Sequence, residues 1–296
     1  MITRIQAKHY RCLRYVDQNL GRFQLLVGAN ASGKTTFLDV VNFLGDLVSD
    51  GVETAVRNRA PTPQDLTWMR DKDGFELAID ARIPDELRNR IEDPNFSHVR
   101  YEVAIGMEVE DEGIGISDER VWLRRNCMAE HPQRTLFPEL TKVPASILLG
   151  KRRSKKEQRL VVSKMFGGND NYMPETPKGY SPSFRQSAKR SALGNLPADE
   201  NSFPVTTWLR SYLTQGIQQF VLNSRLIRKA SPPGQGRDFK PDGSNLPWVI
   251  HHLEKTSDDS LKSWISHLRS ALPDLIAIRT VEREDDKHRY LVLKYG

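Results

Sequence analysis

Residues 23–37 read FQLLVGANASGKTTF, and the eight residues from Gly28 to Thr35 fit the pattern G-x-x-x-x-G-K-[ST]. Backbone N–H groups of a loop with this pattern wrap phosphate oxygens. The apolar run 23–27 predicts a short buried strand before the loop, and the apolar spacing after Lys34 predicts a helix behind it. Strand, glycine-bearing loop and helix, in that order, are the setting in which such a loop holds a nucleotide.

The residue types within this loop each suit a phosphate ligand. Gly28 and Gly33 allow a close backbone approach that a Cβ would block. The first N–H groups of the helix are unpaired, and the helix dipole adds to their attraction for anions. We expect Lys34 to reach the β- and γ-phosphate oxygens of ATP, and the Thr35 hydroxyl to join the Mg²⁺ shell. Thr36 either donates to the α-phosphate or is simply one more helical residue. The loop residues predicted to bind the nucleotide are Gly28, Ala29, Asn30, Ala31, Ser32, Gly33, Lys34, Thr35 and Thr36.

Composition places the chain among soluble proteins. Of its 296 residues, 38% are hydrophobic and 28% charged, and no apolar run approaches the length of a membrane span. Residues 1–5 lack the apolar region of a signal peptide. Two isolated cysteines, Cys12 and Cys127, favour a reducing compartment over a disulfide scaffold. We therefore predict a cytoplasmic protein without a membrane partner.

The positive charge of the chain is concentrated in one window. Residues 151–190 hold eleven lysines and arginines against three acids, whereas the net charge of the whole chain is +6. One hypothesis is a contact with nucleic-acid phosphates. The alternative is a solvated or partner-facing loop, because aromatic residues that could stack on bases are sparse here. The candidate nucleic-acid residues are Lys151, Arg152, Arg153, Lys155 and Lys156.

Hydrophobic periodicity predicts an antiparallel sheet beside the loop, because alternating segments follow one another without helices between them. The predicted strands are 2–8, 13–18, 23–27, 75–81, 98–109, 119–123, 275–281 and 288–294, and the predicted helices after the loop's own are 205–222, 247–255 and 260–272. The predicted division is a P-loop core over 1–58, an antiparallel β-subdomain over 59–166, a flexible basic loop or insert over 167–204, and a helical segment with a final hairpin over 205–296.

Both ends of the chain resemble a known family. Ile2, Ile5 and the run YRCL at 10–13, followed by LLVGANASGKTTFLDVVNFL, look like ABC-type ATPases of the SMC/RecF/OLD-like group. The segment DGSNLP at 242–247 is similar to one in the same proteins. The resemblance implies an α/β fold: a P-loop NTPase lobe of ABC-ATPase type, with an antiparallel β-subdomain and a helical segment. It also implies ATP and Mg²⁺ as cofactors, and a homodimer that closes around ATP.

The resemblance suggests roles for three further residues. Asn30 would shape the loop and approach the γ-phosphate. Arg11 would be a basic residue near the nucleotide, with a surface arginine as the alternative. Gln186 is the nearest candidate for the glutamine that senses Mg²⁺ and the attacking water, with a loop side chain facing water as the alternative.

The sequence departs from the family where hydrolysis is concerned. No apolar strand ending in Asp-Glu is present, and the signature motif of these ATPases is also absent. The stretch LAID at 77–80 comes closest, but Glu76 before it marks an alternating, structural strand. The catalytic residues therefore stay unassigned. The simplest interpretation is the N-terminal part of a longer ATPase, and a split protein completed by another chain is the alternative.

Two functions are consistent with these patterns. The first, which the family resemblance suggests, is the ATP-binding head of an ATPase whose dimer closure acts on DNA or on an effector partner, in DNA repair or anti-phage defence. The second is a nucleotide-binding regulatory or assembly module that hydrolyses nothing itself.

Overall fold

The computed structural model describes residues 1–70, 73–107, 113–125, 142–150 and 157–296. These residues form two compact units, Met1–Ile217 and Gln218–Gly296. No helix among them is long and apolar enough to cross a lipid bilayer.

Strands and helices alternate irregularly along the chain. The strands are β1 (Ile2–Tyr10), β2 (Leu13–Asn19), β3 (Gly74–Arg82), β4 (His98–Gly106), β5 (Gly115–Arg124), β6 (Gln158–Met165), β7 (Asp170–Tyr172), β8 (Ser183–Phe184), β9 (Leu275–Glu282) and β10 (Arg289–Tyr295). The helices are α1 (Lys34–Asp50), α2 (Val52–Arg57), α3 (Asp85–Arg88), α4 (Pro204–Thr214), α5 (Ser224–Ile227), α6 (Leu246–Thr256) and α7 (Asp258–Leu268), with short 3₁₀ turns at Pro63–Leu66 and Trp68–Arg70.

Within the described part of the first unit, eight strands form one antiparallel sheet in the order β2-β1-β3-β4-β5-β6-β7-β8. Side chains of a strand alternate between the two faces of its sheet. One face is apolar, with Ile5, Leu77, Tyr101 and Val121 among its buried residues. The other face carries charged side chains, many of them also buried. The sequence alternation that predicted half-buried strands produces this division.

The apolar face of the sheet is covered by helices of the first unit. On α1, the side chains of Phe37, Val40, Leu44 and Leu47 are buried at helical spacing in the same core. A Cβ on Gly45 would lie 2.8 Å from the carbonyl oxygen of Leu213, so α1 and α4 approach closely only because this residue is glycine. The glycine-bearing loop at the start of α1 is thereby fixed relative to the sheet.

The second unit is small and has its own core. The hairpin β9–β10 packs with α6 and α7 around Ile250, Leu261, Leu275 and Ile278. Ahead of α6, the buried Asn245 organises a loop: its Nδ2 donates to the carbonyl oxygens of two earlier residues, and its Oδ1 accepts from a backbone N–H. The DGSNLP segment singled out in the sequence therefore has a structural role in this loop.

One predicted strand is wrong. Residues 23–27 form no strand, and Phe23, Leu25 and Val27 are 85, 72 and 83% exposed. Only Leu26 packs partly against the core. A continuous apolar run such as 23–27 is buried as a strand only when other elements cover both of its faces. Within the described ranges no strand pairs with this segment, so its apolar side chains face solvent.

The unit boundary also differs from the predicted division. The predicted segment 167–204 contains β7 and β8 and buries Leu193, Leu196 and Phe203 in the main core. The predicted helix over 205–222 ends at Thr214, and α4 packs on α1 within the first unit. The structure accordingly divides the chain after Ile217 rather than after residue 204.

Candidate phosphate-binding site

The loop 28–33 lies at the start of α1 and takes an unusual backbone path. Ala31 and Gly33 have positive φ angles of 64° and 88°, the left-handed region that favours glycine. A Cβ on Gly28 would lie 2.9 Å from Ser32 Oγ, so the loop closes tightly on itself at this position. The conformation therefore favours glycine most strongly at position 33, where a Cβ would also lie 3.2 Å from Leu13 Cδ2, whereas a Cβ at position 28 would require the Ser32 hydroxyl to move.

Lys34 is the first residue of α1, and its side chain turns back along the loop. Its ammonium group donates to the carbonyl oxygens of Gly28 at 2.8 Å and Ala29 at 2.7 Å, and lies 3.3 Å from Ser32 Oγ. The structure therefore brings together the lysine and the loop that the sequence pattern links. Asn30 and Thr35 are exposed beside them.

The N-terminus of α1 has no side chain to satisfy its first N–H groups. Gly33 occupies the N-cap position without a side-chain cap, and no acidic residue lies in the first turn. Unpaired N–H groups at a helix start carry a partial positive charge that favours an anion. Together with the Lys34 ammonium, this arrangement fits a phosphate group, and the exposed Thr35 hydroxyl is available to a metal ion beside it.

The turn between β1 and β2 packs against the first turns of α1. Arg11 has a φ of 50°, and its backbone N–H donates to Leu66 O at 2.8 Å. Its guanidinium lies 3.5 Å from Asp39 on α1, and its side chain is 39% exposed. Next to it, Cys12 Sγ is 3.3 Å from Thr36 Oγ1. Arg11 is therefore near the loop helix and only loosely paired.

Asp39 is a residue that sequence reasoning missed. It accepts hydrogen bonds from the Tyr10 hydroxyl at 2.7 Å and from Arg59 Nε at 2.8 Å. Burial, together with the charge of Asp39, raises the pKa of Tyr10, which keeps the hydroxyl a donor. Because Tyr10 belongs to β1 and Arg59 follows α2, these bonds tie the loop helix to the sheet. Asp39 lies four residues after Thr35 and therefore on the same face of the predicted helix, and this spacing was the available sequence signal.

Gln186 lies elsewhere in the molecule. Its Nε2 is 3.3 Å from the Tyr172 hydroxyl on β7. Three residues later, Lys189 O accepts from Val52 N at 3.0 Å, beyond the C-terminal end of α1. A helix of this length spans about 25 Å. The structure thus places Gln186 near the opposite end of α1 from Thr35, and it does not bring the two together at a metal site.

Two sets of residues from the sequence analysis remain, the stretch LAID at 77–80 and the basic cluster at 151–156. Asp80 pairs with Arg100 and Arg124 at 3.0 Å each, which makes it structural, as its alternating strand predicts. The described residues contain no group of three or more His, Cys, Asp or Glu side chains arranged to hold a metal ion. The basic candidates Lys151, Arg152, Arg153, Lys155 and Lys156 lie outside the described residues.

Comparison with known proteins gives a local likeness. No protein-family profile matches the chain. A stretch of 79 residues is 44% identical to an OLD nuclease of Thermus scotoductus, over 27% of this chain and 14% of that protein. The match supports the OLD-like part of the resemblance at a coarse level, and this chain matches only a small part of its relative's length.

One structural similarity is weaker. A solved structure from work on ATP-driven dimerization and DNA-stimulated activation of SMC ATPases has a TM-score of 0.30 and 23% identity. The alignment covers 43% of this chain and 72% of that one. A TM-score this low carries no argument about fold or function.

Proposed function

We propose that this chain binds ATP with Mg²⁺ through residues 28–36, as the head of an ABC-type ATPase of the SMC/RecF/OLD-like group. The observation that carries the proposal is the placement of Lys34, whose ammonium lies on the loop carbonyls at an uncapped helix start. A bound triphosphate would replace those carbonyls as the acceptors of the ammonium group. The local identity to an OLD nuclease supports the choice of group.

In this proposal ATP closes two copies of the chain into a homodimer, and that closure serves DNA-related or anti-phage defence work in a cytoplasmic protein. Arg11 contributes a positive charge beside the nucleotide, because its contact with Asp39 is long and its side chain is partly exposed. The basic cluster at 151–156 is the proposed contact to nucleic acid. An effector protein is the alternative partner.

A second candidate is a nucleotide-binding regulatory or assembly module without hydrolysis. The pairing of Asp80 with two arginines favours it. Asp80 ends the stretch that comes closest to the Asp-Glu strand needed for hydrolysis, and its carboxylate is engaged in structural ion pairs. Steady-state phosphate release tests the second candidate. Brisk release by this chain would contradict it, whereas little release is expected under either candidate, because the sequence contains no apolar strand ending in Asp-Glu.

Analytical ultracentrifugation tests the proposed dimer closure. We expect the full chain to sediment as a monomer alone and to shift toward a dimer with the non-hydrolysable analogue AMP-PNP and Mg²⁺. Lys34→Ala should remain monomeric under both conditions, because it lacks the ammonium that the triphosphate needs. Lys178→Ala, at an exposed lysine of the first unit, is the matched control and should behave as wild type. A nucleotide-independent dimer, or equal behaviour of Lys34→Ala, would contradict dimer closure by ATP.

A further inference from the structure

A small cavity opens on the first unit beside strands β5 and β6. Its volume is about 280 Å³, and it is lined by residues 164–168, residues 185–188 and Ile116. Residues 164–168 run from the end of β6 into the turn before β7, and residues 185–188 follow β8. The loop 28–33 does not border this cavity, which is therefore a separate feature of the unit.

Hydrogen bonds to adjacent residues of β5 hold the two walls of the cavity. The backbone N–H of Phe166 donates to Ser117 O at 3.0 Å, and Ile116 N donates to Ala188 O at 2.8 Å. Because Ile116 and Ser117 are consecutive, both walls are attached to the same part of the sheet. The backbone thus keeps the walls apart at a fixed distance, as in a preformed binding site.

One wall presents an aromatic side chain to solvent. Phe166 is 42% exposed and Met165 beside it is 48% exposed, although burial of such side chains would be favourable. Gly167, the next residue of the turn, has a φ of 73°, and a Cβ at this position would have no atom within 4 Å. The space over the turn is therefore open to a ligand that contacts Phe166.

The other wall carries two polar side chains that can bind a ligand. Arg185 is exposed and makes no hydrogen bond or ion pair with any described residue. Gln186 is held through its Nε2, which donates to the Tyr172 hydroxyl at 3.3 Å, and no described residue donates to its Oε1. A guanidinium binds phosphate well, and an amide oxygen accepts from an N–H group. This wall therefore offers a cation and an acceptor next to each other.

The sequence window around this cavity places its positive charge on the surface. Residues 151–190 hold eleven lysines and arginines against three acids, which are Glu157, Asp170 and Glu175. Two of the acids are buried, Asp170 in a pair with Lys164 at 3.0 Å and Glu175 at the start of α4. Lys164 is the one buried cation among the described members of the window. The exposed surface of the window is thus complementary to a polyanion.

The size and composition of the cavity fit one base of a single strand. Sites for drug-sized ligands measure about 300–1,000 Å³, so a cavity of about 280 Å³ takes a single ring system rather than a whole nucleotide. Aromatic side chains stack on bases of any sequence, and cations beside them bind the phosphates. The bases of a duplex are stacked on one another and do not enter a cavity. The arrangement therefore selects unpaired nucleotides.

We propose that the cavity between residues 164–168 and 185–188 holds one base of a single-stranded nucleic acid. The base lies against Phe166 and donates an N–H to Gln186 Oε1, while Arg185 binds an adjacent phosphate. This proposal rests on the nucleic-acid contact of the proposed function and gives that contact a site among the described residues. It does not require ATP at residues 28–36.

Fluorescence anisotropy with the full chain tests this site, and the probe is a labelled oligothymidylate of about 20 nucleotides, which exceeds the length that one site covers. Phe166→Leu keeps an apolar side chain and removes the aromatic face, and Phe166→Trp is its matched control because it keeps that face. Arg185→Ala removes a positive charge at the cavity. Arg90→Ala removes one at an exposed position outside it. An oligouridylate of the same length distinguishes RNA from DNA.

We expect the wild type, Phe166→Trp and Arg90→Ala to bind the single strand with similar affinity. Phe166→Leu should bind at least about fivefold more weakly, which is the lower limit for the loss of one stacked base. For Arg185→Ala, the slope of log affinity against log salt should be less steep by about 0.7, because one phosphate contact is lost. This pattern with either strand supports the proposal, and the strand that binds more tightly identifies the nucleic acid.

Three results would overturn the proposed base site. Equal affinity of Phe166→Leu and the wild type would exclude the cavity and leave a contact at the basic cluster 151–156 possible in its own right. Tighter binding of the duplex than of the single strand would contradict an unpaired base. Labelled polyglutamate that binds as tightly as the oligonucleotide, and is weakened equally by Phe166→Leu, would identify an acidic peptide as the ligand instead.

Failure of the broader nucleic-acid contact gives a different result. The wild type would then bind neither strand, which would overturn the base site together with the nucleic-acid contact of the proposed function. ATP binding at residues 28–36 is measured separately and does not depend on any of these outcomes.

Discussion

Glu175 is buried beneath the start of α4, where it supplies the cap that the helix lacks. Its carboxylate accepts from the backbone N–H groups of Val205 at 2.6 Å and Thr206 at 2.8 Å, and from the Thr206 hydroxyl. Burial raises the pKa of Glu175 to about 7, although these hydrogen bonds oppose the shift. The native state therefore holds a proton at this site more tightly than the unfolded chain does.

This pKa predicts a pH dependence of stability. An acid whose pKa is raised by folding stabilises the protein below its unfolded pKa, and that contribution is lost as the pH rises through about 7. Between pH 4.5 and pH 8, the free energy of unfolding should fall by about 3 kcal/mol more in the wild type than in Glu175→Gln. Urea titrations at several pH values measure the difference. Parallel pH profiles of the two proteins would refute the shifted pKa.

Among the secondary-structure elements, the segment before the loop 28–33 shows that an apolar sequence run does not by itself ensure that its side chains are buried. The run FQLLV carries the composition of a buried strand, and yet three of its side chains face solvent. An apolar run can be buried, but its burial also requires other elements of the fold to pack against it. No such neighbour is present in the described parts of the chain, and sequence pattern alone could not show this.

Leu25→Ser tests the exposure of this segment. We expect it to change the free energy of unfolding by less than about 0.5 kcal/mol, because Leu25 is 72% exposed. Leu77→Ala, at a fully buried leucine of β3, should cost about 2–5 kcal/mol. Denaturant unfolding of both variants gives the comparison. A loss above about 2 kcal/mol for Leu25→Ser would show that residues 23–27 are buried as a strand after all.

The other elements were largely predictable from local pattern. Alternation over 75–81 and 98–109 predicted β3 and β4, with β4 ending three residues earlier than expected, at Gly106. The same local signal could not reveal that the polar side chains of these strands would be buried. Their burial results from residues 142–150, whose backbone bonds to side chains of this face, and contacts between residues so distant in sequence leave no periodic signal.

For the whole molecule, the loop 28–33 and the helix that follows it were more predictable from sequence than their surroundings. The glycines, Lys34 and the helix follow from short-range rules, because loop and helix are adjacent in sequence. The bracing of α1 by Tyr10, Asp39 and Arg59 depends on tertiary packing, as does the distance of Gln186 from the loop. The division into two units after Ile217 likewise follows from which helices pack on α1.

The central claim is that residues 28–36 hold the phosphates of ATP through Lys34. Isothermal titration calorimetry of ATP with Mg²⁺ tests it most directly, with the wild type, Lys34→Ala and the exposed-lysine control Lys178→Ala. The account predicts saturable binding to the wild type and the control, and a loss of at least about tenfold in affinity for Lys34→Ala. Equal affinity of all three proteins, or no binding to the wild type, would contradict it.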